Sequence, residues 1–242
     1  MNPVIQNLYD RKSIRAYTDR PVSAEDKAIL FEAAMQAPTG GNQQGFTIID
    51  VTDQAIKDQL AELCDHQPFI ATAPVVLVFI ADSQKWNDAY REAGITPDKP
   101  GLLGIVSGVS NTCIVAQNVV VAADALGMGS CYIGDILENC EKIRELFKLP
   151  QYCLPAAMLC IGYPTEQQKA RKKPVRFPRE YMVCENQYKA LIGADIRDMF
   201  QERTASKGFD EYLKSMFDRK TNADFAKEMA RSVQVYLDYF QK

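Results

Sequence analysis

Between Gly45 and Asp82 the chain carries two apolar runs of different character. GFTIIDV (45–51) mixes apolar and polar positions, whereas APVVLVFIAD (73–82) is apolar at nearly every position and rich in valine. Both read as strands of a central sheet. The second is too uniformly apolar for a sheet edge, because a strand with one wet face alternates and a strand buried on both faces does not. Ahead of them, AEDKAILFEAAMQA has the spacing of an amphipathic helix; Ser23 stands before it as N-cap, three residues from Asp26, and Pro38 ends it. The segment Val109–Leu126 is apolar almost all round and is followed by Gly127 and Gly129, which predicts a helix buried on all sides, either a core spine or a subunit interface. GSCYIGDI then reads as a short strand, EKIRELFKL as a helix stopped by Pro150, and PAAMLCIGYP as another buried strand. After Pro178 the strand character disappears. YKALIGADIRDMFQER and NADFAKEMARSVQVYLDYF are amphipathic helical stretches that need a surface, their own core or a partner's.

Composition narrows the class. With 242 residues, 47% hydrophobic and 24% charged, the chain can bury a sizeable core. The formal net charge is −3 and the pI is about 5.4, which argues against a protein-wide field for nucleic acid or anionic membrane, so a basic site must be a local pocket. The N-terminus lacks the apolar core of a signal peptide and no run approaches the roughly eighteen apolar residues of a membrane span, so a cytoplasmic location is expected. Seven scattered cysteines, without a C-x-x-C pair, read as reduced and mostly buried thiols. Cys131 falls in this class. A zinc site is not expected with one histidine, His66, which reads as a surface or capped residue.

Acid–base chemistry is thinly provided for. There is no G-x-S-x-G, no Cys–His pairing in view, no P-loop and no complete G-x-G-x-x-G, so the chemistry is expected to belong to a cofactor. RKSIR (11–15) concentrates basic residues in an acidic chain. In an extended segment Arg11, Ser13 and Arg15 project to one side while Ile14 anchors the other, an arrangement suited to a phosphate dianion. A second basic run, KARKKPVRFPRE, holds Lys173 and Arg176. APTGGNQQG (37–45) is a loop that serves either a site or only a turn. Trp86 and Tyr90 either line a substrate pocket or cover the core.

RKSIR, APTGGNQQ, the apolar helix leading to LGMGSCYIGDI, IGYP and KPVRFPREYMVCENQY, in this order over roughly Asn7 to Tyr188, resemble the FMN-dependent nitroreductase family, in particular its oxygen-insensitive NADPH-nitroreductase and flavin-reductase branch. The resemblance implies an α+β fold with a central mixed, mainly antiparallel sheet flanked by helices. It also implies a homodimer with FMN at the subunit interface, an FMN-binding domain over 1–188 and a helical C-terminal extension, 189–242, packing on the dimer. Carried over by position, Arg11, Lys12, Ser13 and Arg15 match the phosphate and ribityl side; Thr39, Asn42 and Gln44 match the loop against the flavin ring, and Gln67 a ring contact. Tyr132, Ile133 and Gly134 match the segment whose backbone N–H reaches flavin N5 and O4, and Lys173 and Arg176 the basic pair at the phosphate and the N1–O2 edge. Whether Arg171, Lys172 or Lys173 joins Arg176 is open, because Pro174 and Val175 separate the pair. QERTASKGF offers only Arg203 and Lys207 for an NADPH 2′-phosphate, which leaves NADH and NADPH both open as donors. The implied activity is reduction of nitroaromatics, quinones or free flavin by NAD(P)H in a ping-pong mechanism. A flavin-binding or sensing protein with little turnover is the alternative, and a phosphate- or nucleic-acid-binding module is disfavoured by the acidic pI.

Overall fold

The computed structural model describes residues 1–242. They fall into two compact units, residues 1–171 with 228–242, and residues 172–227.

The first unit is built on four strands, β1 (Phe46–Asp50), β2 (Val75–Asp82), β3 (Gly129–Ile133) and β4 (Cys153–Gly162), in the order β1-β2-β4-β3, with every pairing antiparallel. Helices α1 (Pro3–Asp10), α2 (Ala24–Met35), α3 (Gln54–Leu63), α4 (Gln84–Glu92), α5 (Gly101–Ala125), α6 (Cys140–Phe147) and α7 (Glu166–Ala170) accompany the sheet. The uniform apolarity of β2 has a simple cause. Val75, Leu77 and Phe79 face a core shared with Leu30 of α2 and Val115 and Val119 of α5, while Val76, Val78 and Ile80 face a second core with Leu60 of α3 and Ile143 of α6. Ser23 caps α2 as expected, its hydroxyl accepting from Asp26 N–H at 2.9 Å.

Two expectations are corrected. The apolar helix starts at Gly101 rather than Val109, and it is not buried on all sides: Thr112, Val115, Ala116, Val119, Val120 and Ala123 are enclosed, while Leu103 and Val106 are exposed. Its early glycines obscured the start. Gly108 suits a close approach, since a Cβ there would stand 3.2 Å from Ala81 Cβ on β2. By length and composition α5 also meets the requirement for crossing a membrane, although no single apolar run predicted it. Its enclosed face is nevertheless the floor of the sheet.

The second unit contains α8 (Ala194–Thr204), α9 (Phe209–Lys220) and the start of α10 (Asp224–Gln241). Residues 188–193, expected to open a helix, are not helical, and α9 was not singled out by its pattern. Phe177, Phe200, Phe209 and Tyr212 form its aromatic cluster, with the Arg203 guanidinium 3.6 Å from the Phe177 ring centre and donating to Val175 O at 3.0 Å. From Glu228 onward α10 belongs to the first unit, where Ser232, Tyr236 and Phe240 are buried in its own chain's core with Cys140, Tyr152 and Leu154.

Candidate cofactor site

The basic segment is fastened along β3. Ile14 N–H donates to Ser130 O at 2.9 Å, and the Ile14 side chain, 4% exposed, lies over Gly129. A Cβ at Gly129 would be 2.4 Å from Ile14 Cγ1, so glycine is needed there for the segment to lie flat. Tyr17 completes the anchor; its hydroxyl lies 2.8 Å from Ile14 O and 2.9 Å from Cys160 O, and burial raises its pKa. With Ile14 held inward, the flanking side chains are left to the site. The Arg11 guanidinium is 6.0 Å from the Tyr132 ring centre and that of Arg15 is 5.9 Å from the Phe69 ring centre.

The cluster acts on Cys131 of β3. Burial pushes that thiol up, while Arg15, the Ser13 hydroxyl, Arg11 and Arg171 pull it down. Three guanidinium groups and one hydroxyl are therefore near enough to that strand residue to bias its charge. Arg171 is the residue that the sequence left among three alternatives; it donates to Ser13 O. Lys12 donates to Lys169 O at 2.6 Å and to Arg171 O, so its ammonium holds the C-terminal end of α7 in place. Lys173 and Arg176 lie in the second unit, in its non-helical leading stretch. Asp124 faces Arg11, and burial raises its carboxyl to about 6.

Tyr132 and Ile133 end β3, Ile133 buried, and Gly134 follows with open space where a Cβ would stand. Gln67 reaches this end of the strand from the turn after α3, its amide donating to Asp135 Oδ2 at 2.6 Å. Arg11, Ser13, Arg15, Tyr132, Ile133, Gly134 and Gln67 thus share one edge of the sheet. Arg171 stood among three alternatives for the partner of Arg176, while nothing in the sequence marked Asp135.

Thr39, Asn42 and Gln44 sit elsewhere. Their loop leads into β1, the opposite edge of the sheet, and Gly45 O accepts from Asp82 N–H at the end of β2 away from the strand residue that pairs near Gly129. Three strand spacings, about 14 Å, separate the two edges. The loop is shaped by left-handed residues at Gly41, Asn42 and Gln44, with Gln44 N–H donating to Thr39 Oγ1 at 3.0 Å and Gly40 N–H to Asn111 Oδ1 of α5 at 3.2 Å. Trp86 Nε1–H donates to Gln43 O at 2.7 Å, and its ring tilts against Tyr90 beside a cavity of about 210 Å³ lined also by Leu103 and Ser107. Trp86 and Tyr90 therefore line a pocket.

Residues 8–163 match the family model described as the nitroreductase family. The chain belongs to the nitroreductase family. Among related sequences, this family member is 32% identical over 98% of its length, and 92% of the relative's, to the FMN reductase (NAD(P)H) of Bacillus subtilis. It is 36% identical to the oxygen-insensitive NADPH nitroreductase of Salmonella typhimurium over 79% of its own length and 77% of the relative's. Its fold matches the NADPH:FMN oxidoreductase of Vibrio harveyi, solved with NAD+, at a TM-score of 0.84 and 25% identity, covering 99% of this chain and 98% of that one.

Proposed function

We propose that this protein is an NAD(P)H-dependent FMN oxidoreductase that passes electrons to nitroaromatics, quinones or free flavin. The carrying observation is that the Arg11–Arg15 segment is hydrogen-bonded along β3, with Arg171 donating to Ser13 O, and that the same strand leads into the open backbone at Gly134. That donor set fits a phosphate monoester dianion, and the missing Cβ at Gly134 lets a flat ring approach the backbone. The residues present therefore fit FMN, and bound FMN would supply hydride acceptance and donation. The chain's contribution is to hold the phosphate through the three guanidinium groups, to place fixed positive charge and N–H dipoles near the ring, and to keep one face accessible. No protein acid or base is required, which agrees with a single, exposed histidine.

Donor and acceptor use the same face in turn, which calls for ping-pong kinetics. Arg203 is engaged by Phe177 and Val175 O, so the reading includes use of both NADH and NADPH. The separation of the Thr39–Gln44 loop from the Arg11–Arg15 segment supports a homodimer in which each flavin meets one cluster from each chain. The exposed Leu103 and Val106 of α5 supply apolar surface for it. Residues 1–188 would then hold FMN, with 189–227 the part of the helical tail available to a partner; a cytoplasmic location goes with this reading.

Purified protein should show a flavin absorption doublet, and heating should release one chromophore per chain that chromatographs as FMN. Initial rates at several fixed acceptor concentrations should give parallel double-reciprocal lines. Released FAD, or no flavin after incubation with excess FMN, would overturn the assignment; intersecting lines would overturn the shared face.

A further inference from the structure

Gln67 is held with unusual firmness for a half-exposed amide. Asp65 and His66, directly before it, both take left-handed backbone angles, with φ of 57° and 50°, a conformation that carries strain for residues with a side chain. Gln67 N–H donates to Ala61 O at 2.8 Å, closing the end of α3. Its side-chain Nε2 then donates twice, to Cys64 O at 2.8 Å and to Asp135 Oδ2 at 2.6 Å. Both partners are acceptors, a carbonyl and a carboxylate, so a flipped amide would set oxygen against oxygen at both contacts. The amide has one orientation, and the atom left for a ligand is the acceptor Oε1.

We propose that Asp135 is a positioning residue: it and Cys64 O take up the Gln67 amide donors, so that Oε1 faces the flavin and demands an N–H from it. This rests on the FMN reading above. Oxidised isoalloxazine carries a single ring N–H, at N3, so N3–H is the group that Oε1 recognises. Asp135 directly follows Gly134, so one residue ties the open end of β3 to the turn after α3. The site then selects a ring presenting a donor at this point and discriminates against one that presents only acceptors.

The test compares FMN with 3-methyl-FMN by flavin-fluorescence titration of the apoprotein. The wild type should bind 3-methyl-FMN about tenfold more weakly than FMN, the loss expected of one hydrogen bond in a partly buried site. Asp135→Ala should weaken FMN and lose most of this discrimination, since only Cys64 O then opposes a turned amide. Asp135→Asn, which still offers Oδ1 to Gln67 Nε2, should retain it. Discrimination that persists in Asp135→Ala would assign it to steric exclusion and overturn the proposal, as would equal loss in Asn and Ala variants, which would point to charge. Nitrogen–proton spectra of the apoprotein give a readout independent of flavin: the Gln67 amide protons should be shifted downfield and protected in wild type and Asp135→Asn but not in Asp135→Ala, and equal spectra would refute the locked amide. A wild type that binds neither flavin would overturn the FMN reading, with the amide still tested by its spectra.

Discussion

Gly129→Ala should loosen the cofactor site from behind, without touching any group proposed to contact the phosphate. The added methyl would stand 2.4 Å from Ile14 Cγ1 and 2.9 Å from Ile14 Cβ. Apolar carbons rest at about 3.5–4.0 Å, so Ile14 must retreat by about 1 Å or leave its rotamer. It has little room, being 4% exposed and pinned by its N–H to Ser130 O. Overpacking of this kind costs about 1–3 kcal/mol, which for a chain of this size lowers Tm by about 2–12 °C. Ser13 and Arg15 flank Ile14 and move with it. FMN affinity should therefore fall about tenfold or more, the weight of one charge-assisted hydrogen bond of about 1.5–3 kcal/mol. Thermal melting of the apoprotein and titration of FMN fluorescence separate the two effects. Gly129→Ala/Ile14→Ala should recover part of both, because the new methyl occupies some of the space that the isoleucine leaves. Unchanged Tm and FMN affinity in Gly129→Ala would refute the reasoning, and so would a double variant worse than the two single changes combined.

Arg11→Ala and Arg15→Ala should each weaken FMN by about ten- to a hundredfold, read as cofactor loss on dilution; full retention at sub-micromolar protein would make the cluster a solvated surface. Glu138, 5% exposed, has its carboxyl raised from 4.5 to about 7 by burial and by Asp135, Asp65 and Glu228. The native state thus holds this proton more tightly than the unfolded chain, so its contribution is intact below about pH 4.5 and is lost as pH rises toward 7. Urea midpoints across pH 4.5–8 should fall less steeply in Glu138→Gln than in wild type, and identical slopes would count against it. Cys64, Cys131, Cys140, Cys153 and Cys160 are buried, whereas Cys113 and Cys184 are exposed in the single chain. Mass spectrometry after brief alkylation should find Cys184 modified and these five spared. Cys113, on α5, should be protected if two chains pair over that helix; rapid labelling at concentrations where light scattering reports a dimer would exclude α5 from the interface.

The sequence by itself determined the elements whose burial is written into their residue pattern. β2 is apolar at successive positions because both its faces are covered, and Ser23 announces α2 because a hydroxyl at that point satisfies a free backbone N–H. The anchoring of RKSIR was legible because Ile14 alternates with Arg11, Ser13 and Arg15, and burying the isoleucine turns the others outward. Other matters required the tertiary structure. The start of α5 was hidden by Gly101, Gly104 and Gly108, whose low helix propensity is overridden by the packing of Gly104 against Pro100 and Phe240, of Gly108 against Ala81 of β2, and by the core beneath. The role of Lys12 depends on carbonyl groups more than 150 residues away in sequence, and the entry of Arg171 into the cluster on the same helix end. Asp135 gained its meaning only when the turn after α3 was folded against the end of β3. Strand order alone set the Thr39–Gln44 loop on the edge opposite Arg11. Local pattern records whether a residue is covered, because burial acts on each side chain in place; which distant groups it meets depends on chain crossings that no local window contains.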